Sequence, residues 1–148
     1  MPVVDVFNEA HLLRTQTVNP EQLLFDETHE WVHVAEEGGA KVATIGISAF
    51  AVEQLTDLVY MALPEVGRQA KVGEEFGEVE SVKAVSSLYC PVTGEVVAVN
   101  TDLPDKLELL NEDPYGAGWI VKVKITDESS LSKLMDYDAY QKQCAEEG

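Results

Sequence analysis

The 148-residue chain is poor in positive charge, nearly devoid of cysteine and free of long apolar runs. Ten Lys and Arg stand against 27 Asp and Glu, giving a formal net charge of −17. Nucleic-acid binding needs a continuous positive face against the phosphates, which so few cations do not assemble; anionic membranes are disfavoured on the same ground. No apolar stretch nears the roughly 20 residues of a membrane-spanning helix. The two cysteines, Cys90 and Cys144, form neither a metal-ligand spacing nor a disulfide framework, and two reduced thiols without a catalytic role are expected. The first ten residues lack a basic region followed by an apolar stretch, and Asp5 and Glu9 argue against an Arg-rich transit peptide. A cytoplasmic protein, or the mature form of a processed one, is therefore expected, with an acidic surface suited to partners that dock through basic faces.

What is present is a chain 45% hydrophobic, enough for one domain with its own core. Residues 1–20 read as an N-terminal extension, in which Val3, Phe7 and Ala10 suit a short amphipathic helix; Asn19-Pro20 closes it. From there the pattern is β-rich. Glu30-Trp31-Val32-His33-Val34 and residues 41–47 flank the turn Glu36-Glu37-Gly38-Gly39, predicting a hairpin. Ser48 is placed to cap a short helix running to Leu55. Residues 58–63 read as a buried strand stopped by Pro64 and Gly67. A second hairpin joins residues 75–80 to 85–90 through Ser81-Val82-Lys83-Ala84, and residues 95–99 follow the turn at Pro91-Val92-Thr93-Gly94. Residues 119–125 alternate clearly, and Ser129 or Ser130 is expected to open a C-terminal helix with Leu131, Leu134 and Met135 on one face. Many short strands broken by Gly and Pro predict a mainly β fold, a sandwich or flattened barrel with short helices.

His29-Glu30-Trp31-Val32-His33 matches the HExxH pattern of zinc peptidases, which requires both histidines one helical turn apart on one face. Trp and Val leading into a Gly-Gly turn favour a strand instead. On a strand the two histidines lie roughly 13 Å apart, too far for one ion. The match is read as accidental, no metal is expected, and no other catalytic set is present.

Lys83 stands out as the one basic residue between Lys71 and Lys106, at a predicted hairpin tip where its amine suits covalent modification. Around it, Glu80-Ser81-Val82-Lys83-Ala84 joins His29-Glu30-Trp31-Val32, Ala43-Thr44-Ile45-Gly46-Ile47 and Leu63-Pro64-Glu65-Val66-Gly67 in an ordered series. Pro91-Val92-Thr93-Gly94-Glu95-Val96-Val97, Asn111-Glu112-Asp113-Pro114-Tyr115-Gly116 and Gly118-Trp119 continue it. In order and spacing these segments, over residues 24–140, resemble the glycine cleavage system H proteins, a lipoyl-carrier family. Gly67, 16 residues before Lys83, and Gly94, 11 after it, form the glycine frame that lipoyl domains share.

The resemblance implies a lipoyl/biotinyl-type flattened barrel of two antiparallel sheets with a C-terminal helix, residues 21–148 forming the carrier domain. It implies lipoate in amide linkage on Lys83 and a carrier with no catalytic residues of its own. The implied partners are a pyridoxal-phosphate glycine decarboxylase (P protein), a tetrahydrofolate-dependent aminomethyltransferase (T protein) and dihydrolipoamide dehydrogenase (L protein). A lipoate ligase or a lipoyl/octanoyl transferase would attach the cofactor, and a monomer is expected. The resemblance also implies that the loaded arm folds into a cleft near Glu30, whereas the strand pattern alone reads Glu30 as a solvated carboxylate. Ser87 stands where the family often has Asp, Thr56 where Gly is usual and Leu107 where Pro is usual. An H-like relay protein that passes lipoyl groups to 2-oxoacid dehydrogenases fits the same motif. A biotinyl carrier fits less well, since Val82 and Ala84, not methionines, flank the lysine.

Overall fold

Gly38 and Gly39, both at positive φ (59° and 82°), turn the chain between β2 (Glu30–Glu37) and β3 (Ala40–Ile47). Consecutive positive φ values match the right-handed twist of a hairpin, which residues with a Cβ adopt poorly. The computed structural model describes residues 18–147, so the amphipathic segment expected around Val3, Phe7 and Ala10 lies outside them. Among the described residues, β1 (Leu24–Phe25), β2 and β3 join β5 (Gln69–Ala70), β8 (Thr93–Val99) and β9 (Val121–Asp127) in one antiparallel sheet of order β1-β2-β3-β9-β8-β5. A second antiparallel sheet has the order β4-β6-β7, from β4 (Leu58–Ala62), β6 (Glu75–Ser81) and β7 (Val85–Tyr89).

The main core lies between the sheets. Val32, Ile45, Val96 and Val123 of the larger sheet share one buried cluster with Met61, Phe76, Val79 and Leu88 of the smaller. A second cluster, Leu23, Phe25, Trp31, Trp119, Tyr140 and Cys144, joins the larger sheet to the C-terminal helix α3 (Tyr137–Glu147), which follows α1 (Ala49–Leu55) and the short α2 (Glu108–Glu112) in the chain. There the Phe25 and Tyr140 rings stack at 4.4 Å with 6° between their planes. The fold class read from the sequence, two antiparallel sheets with short helices and a C-terminal helix, is the one observed.

Three elements depart from expectation. The segment 58–63 is not a buried strand: β4 is a sheet edge, with Met61 inward and Val59 and Tyr60 more than half exposed. The strand expected at Trp119 begins at Val121, because the Trp119 amide instead closes a turn onto the Gly116 carbonyl at 3.0 Å. The C-terminal helix starts at Tyr137 rather than at Ser129 or Ser130. Asp127 accepts the Ser129 amide and opens a 3-10 turn over Glu128–Lys133. Met135 then exchanges both backbone hydrogen bonds with Phe25, which holds that segment extended. The helix restarts only where Asp136 accepts the Ala139 amide, a side-chain cap of the usual kind.

The predicted helix after Ser48 is present as α1 (Ala49–Leu55), with Ser48 Oγ accepting the Ala51 amide at 3.1 Å. It ends on Thr56 at φ 65° and ψ −136°, backbone space that glycine occupies freely and a β-branched residue does not. Gly94 answers a different constraint: a Cβ there would sit 2.0 Å from the Lys124 carbonyl oxygen on β9.

Two measurements follow from these positions. Thr56→Gly should raise stability by about 1 kcal/mol, as relief of backbone strain outweighs the entropy glycine adds to the unfolded chain. Gly94→Ala should lower it by roughly 3 kcal/mol, the scale of overpacking against fixed backbone. Urea denaturation checks both.

Candidate functional site

Lys83 lies exposed at the tip of the β6–β7 hairpin, where Glu80 pairs with Val85 and the chain reverses through Val82 and Lys83. Neither turn residue is glycine, and neither has positive φ. A serine side chain makes the turn. Ser81 Oγ accepts the Ala84 amide at 3.1 Å and the Lys83 amide at 3.3 Å, and the Ser81 amide donates to the Ala84 carbonyl at 2.8 Å. Serine hydroxyls commonly stand in for a backbone acceptor in this way. The Val82 amide donates to the Asp57 carbonyl at 2.9 Å, tying the tip to the chain just beyond α1. The lysine is thus free while its backbone is held on both sides.

Beneath the hairpin is a cavity of about 270 Å³. Ser86, Ser87 and Leu88 of β7 form one wall, and Phe50, Ala51 and Leu55 of α1 form another. Ser86 is three residues along the strand from Lys83, on the order of 10 Å at the usual strand rise. The lining combines apolar walls with a polar floor of Thr28, His29 and Glu30. A hydrocarbon arm ending in a polar group fits that combination.

Glu30 is not a solvated carboxylate. It is 1% exposed, because β2 carries Glu30, Trp31 and Val32 into the interior together. One carboxylate oxygen accepts from the Thr28 hydroxyl and the other from the Tyr89 amide at 3.0 Å. Tyr89 belongs to β7, so this side chain joins one sheet to the other. Burial pushes its carboxyl up to about 7 against the pull of those hydrogen bonds, with nearby Asp26 adding to the rise.

His29 has positive φ (84°) and stands just before β2. Its Nδ1 lies 2.7 Å from the Tyr140 hydroxyl and its Nε2 lies 3.0 Å from Glu147 Oε1. The Tyr140 hydroxyl also meets Ser48 Oγ at 2.5 Å. His29 and His33 therefore do not lie on a helix; His33 falls within β2, and the geometry of a zinc peptidase is not formed. Among the described residues no cluster of three metal-ligating side chains occurs. Both cysteines are free and buried, and burial raises the Cys90 thiol to about 11, far from a nucleophile.

The structure brings Glu30 to the floor of the cleft below the Lys83 hairpin. Sequence reading missed Ser81 as the turn-maker, Thr28 as the partner of Glu30, and the reach of α3 to His29. For Ser81 the available signal is a serine two residues before a turn lysine, with no glycine to supply the turn. No local pattern could have revealed the contacts of α3.

Linkage gives Glu30 a measurable signature. Its carboxyl is raised from 4.5 to about 7 on folding, so the native state binds the extra proton between those values. Its contribution is full below pH 4.5 and is lost as pH rises through 7, about 3 kcal/mol in all. Glu30→Gln keeps the neutral shape and should be the more stable form above pH 7, the difference from the parent closing toward pH 4.5. Thermal melts across pH 4.5–8 check this. Ser81→Ala, which orphans the Lys83 and Ala84 amides, should cost about 1 kcal/mol.

A family model described as "Glycine cleavage H-protein" matches residues 23–147. The glycine cleavage system H protein of Rhodopirellula baltica is 68% identical over 130 residues, covering 88% of this chain and 98% of the relative. That of Thermotoga maritima is 49% identical over 123 residues, covering 83% and 96%. The crystal structure of a glycine cleavage system H protein from Mycobacterium marinum superposes with a TM-score of 0.77 at 38% identity, covering 86% of this chain and 99% of that one. This family carries lipoate covalently on a lysine and is not catalytic alone. On sequence and fold together, the chain belongs to the glycine cleavage H-protein family.

Proposed function

We propose that Lys83 is the lipoyl attachment site and that this chain, through residues 21–148, is the mobile carrier of a glycine cleavage system. The observation that carries the reading is an exposed lysine on a side-chain-stapled hairpin above a cleft floored by a buried carboxylate. Bound lipoate would supply a disulfide that accepts the aminomethyl group of glycine on one sulfur and is left as a dithiol after unloading. The protein's own residues then position and shelter. Ser81 presents the lysine to modifying and reacting enzymes, and the apolar walls of Phe50, Leu55 and Leu88 exclude water from a folded-back arm. Glu30, at the polar floor, is the docking carboxylate for its charged end.

The amine would be received from glycine decarboxylase and delivered to the aminomethyltransferase, with electrons passing to dihydrolipoamide dehydrogenase. Tethering gives the arm a high effective concentration at each docked site, while the cofactor carries the chemistry. A lipoate ligase or a lipoyl/octanoyl transferase would load Lys83. We place this exchange in the cytoplasm, with the carrier a monomer. The cleft favours glycine cleavage over lipoyl relay: a relay hands on the lipoyl group itself and has no need for a carboxylate beneath the arm.

Incubation with lipoate, ATP and a lipoate ligase should add one lipoyl group, mapped to Lys83 by peptide mass and absent from Lys83→Arg. The lipoylated protein should then support glycine–carbon dioxide exchange by the decarboxylase. An adduct on another lysine, or exchange retained in Lys83→Arg, would sink the assignment.

A further inference from the structure

Among the described residues lining the cleft, only His29, Glu30 and Glu147 have ionisable side chains. A carried primary amine is a cation, and a cation entering an apolar cleft needs a carboxylate. Glu30 answers this need incompletely. Buried to 1% exposure and with its carboxyl near 7, it is only about half ionised at neutral pH. Position 87, on the β7 wall, offers a serine hydroxyl, which cannot balance a charge as a carboxylate does.

The second carboxylate comes from a distant part of the chain. Glu147 reaches the cleft from the last turn of α3, with its side chain 43% exposed. His29 Nε2 holds its Oε1 at 3.0 Å, and Gln143 Nε2 donates to its Oε2 at 2.7 Å. A carboxylate oxygen accepts two hydrogen bonds, so each keeps a site for a further donor. The Ser48–Tyr140–His29 chain fixes the imidazole that orients it, and Gln143 is itself anchored to the Glu27 carbonyl at 2.8 Å. Preorganisation of this kind spares a binding group the entropy of being ordered on contact.

We propose that Glu147, delivered by the C-terminal helix to the mouth of the cleft, is the ion-pairing partner of the carried amine. The inference rests on the lipoyl-carrier reading and assigns to α3 a direct part in holding cargo. Glu30 takes the floor of the cleft and Glu147 the rim.

The test uses the full chain, lipoylated, loaded from glycine by the decarboxylase and then separated from it. Cargo loss is followed by intact mass: water releases the aminomethyl group as formaldehyde and ammonium and leaves the thiol. Glu147→Gln keeps the hydrogen-bonding shape without the charge and should speed loss about two- to fivefold, the range of a partly exposed ion pair. Glu147→Lys should speed it further. Raising the salt to about 1 M should bring parent and Gln variant together, because screening removes the pair and leaves the packing. In the parent, the side-chain carboxylate carbon signal of Glu147 should shift on loading, an NMR readout independent of turnover. Loss at the parental rate in Glu147→Gln, a rate change indifferent to salt, or an unmoved carboxylate signal would overturn this inference alone. Failure of the parent to load at Lys83 would overturn the carrier reading with it.

Discussion

A carboxylate in the interior joins the two sheets. Glu30 leaves the larger sheet at the start of β2 and accepts the Tyr89 amide of the smaller one, while the Thr28 hydroxyl fills its second oxygen. Burying a carboxyl among neutral donors raises its affinity for a proton, which trades some stability at neutral pH for a polar group under an otherwise apolar cleft. A well-packed apolar residue would join the sheets with no such penalty. Its retention is intelligible where a polar or cationic guest has to be received between them.

The rest of the site is arranged around that joint. The β6–β7 hairpin rises from the smaller sheet, and α1 closes the opposite wall of the cleft. The two are linked by the bond from Val82 to Asp57, just past the strained residue Thr56. Strain at the helix end and restraint at the hairpin tip thus meet through one backbone hydrogen bond. A fully flexible loop would leave the Lys83 amine without a fixed base, whereas a buried tip would withhold it from solvent.

The C-terminal helix closes the third side. Its inner face packs Tyr140 on Phe25, and the hydroxyl of the same tyrosine meets both Ser48 and His29. One aromatic residue therefore anchors the helix in the second core and orders the polar residues beside the cleft, an economy open to tyrosine because its ring is apolar and its tip polar. Packing and site geometry are not separable at that position.

Much of this was legible in the sequence because it is local. The Gly-Gly hairpin, the Ser48 cap, the strand character of the His29–His33 segment and the exposed Lys83 turn each follow from residues within a few positions of one another. Order and spacing of short motifs identified the family. Contacts between distant residues were not legible. Burial of Glu30 depends on β7 passing over it, 59 residues away in the chain, and the edge position of β4 depends on which strands fail to pair beyond it. The late start of the C-terminal helix was decided by Met135 pairing with Phe25, which overrode a local pattern that favoured helix. By itself the sequence determined most of the strands and turns and the exposed turn that carries Lys83, since those are set by backbone preference and periodicity. Only the tertiary structure decided that Glu30 is buried and that Glu147 faces the same cleft, since both depend on solvent exclusion and proximity between distant segments.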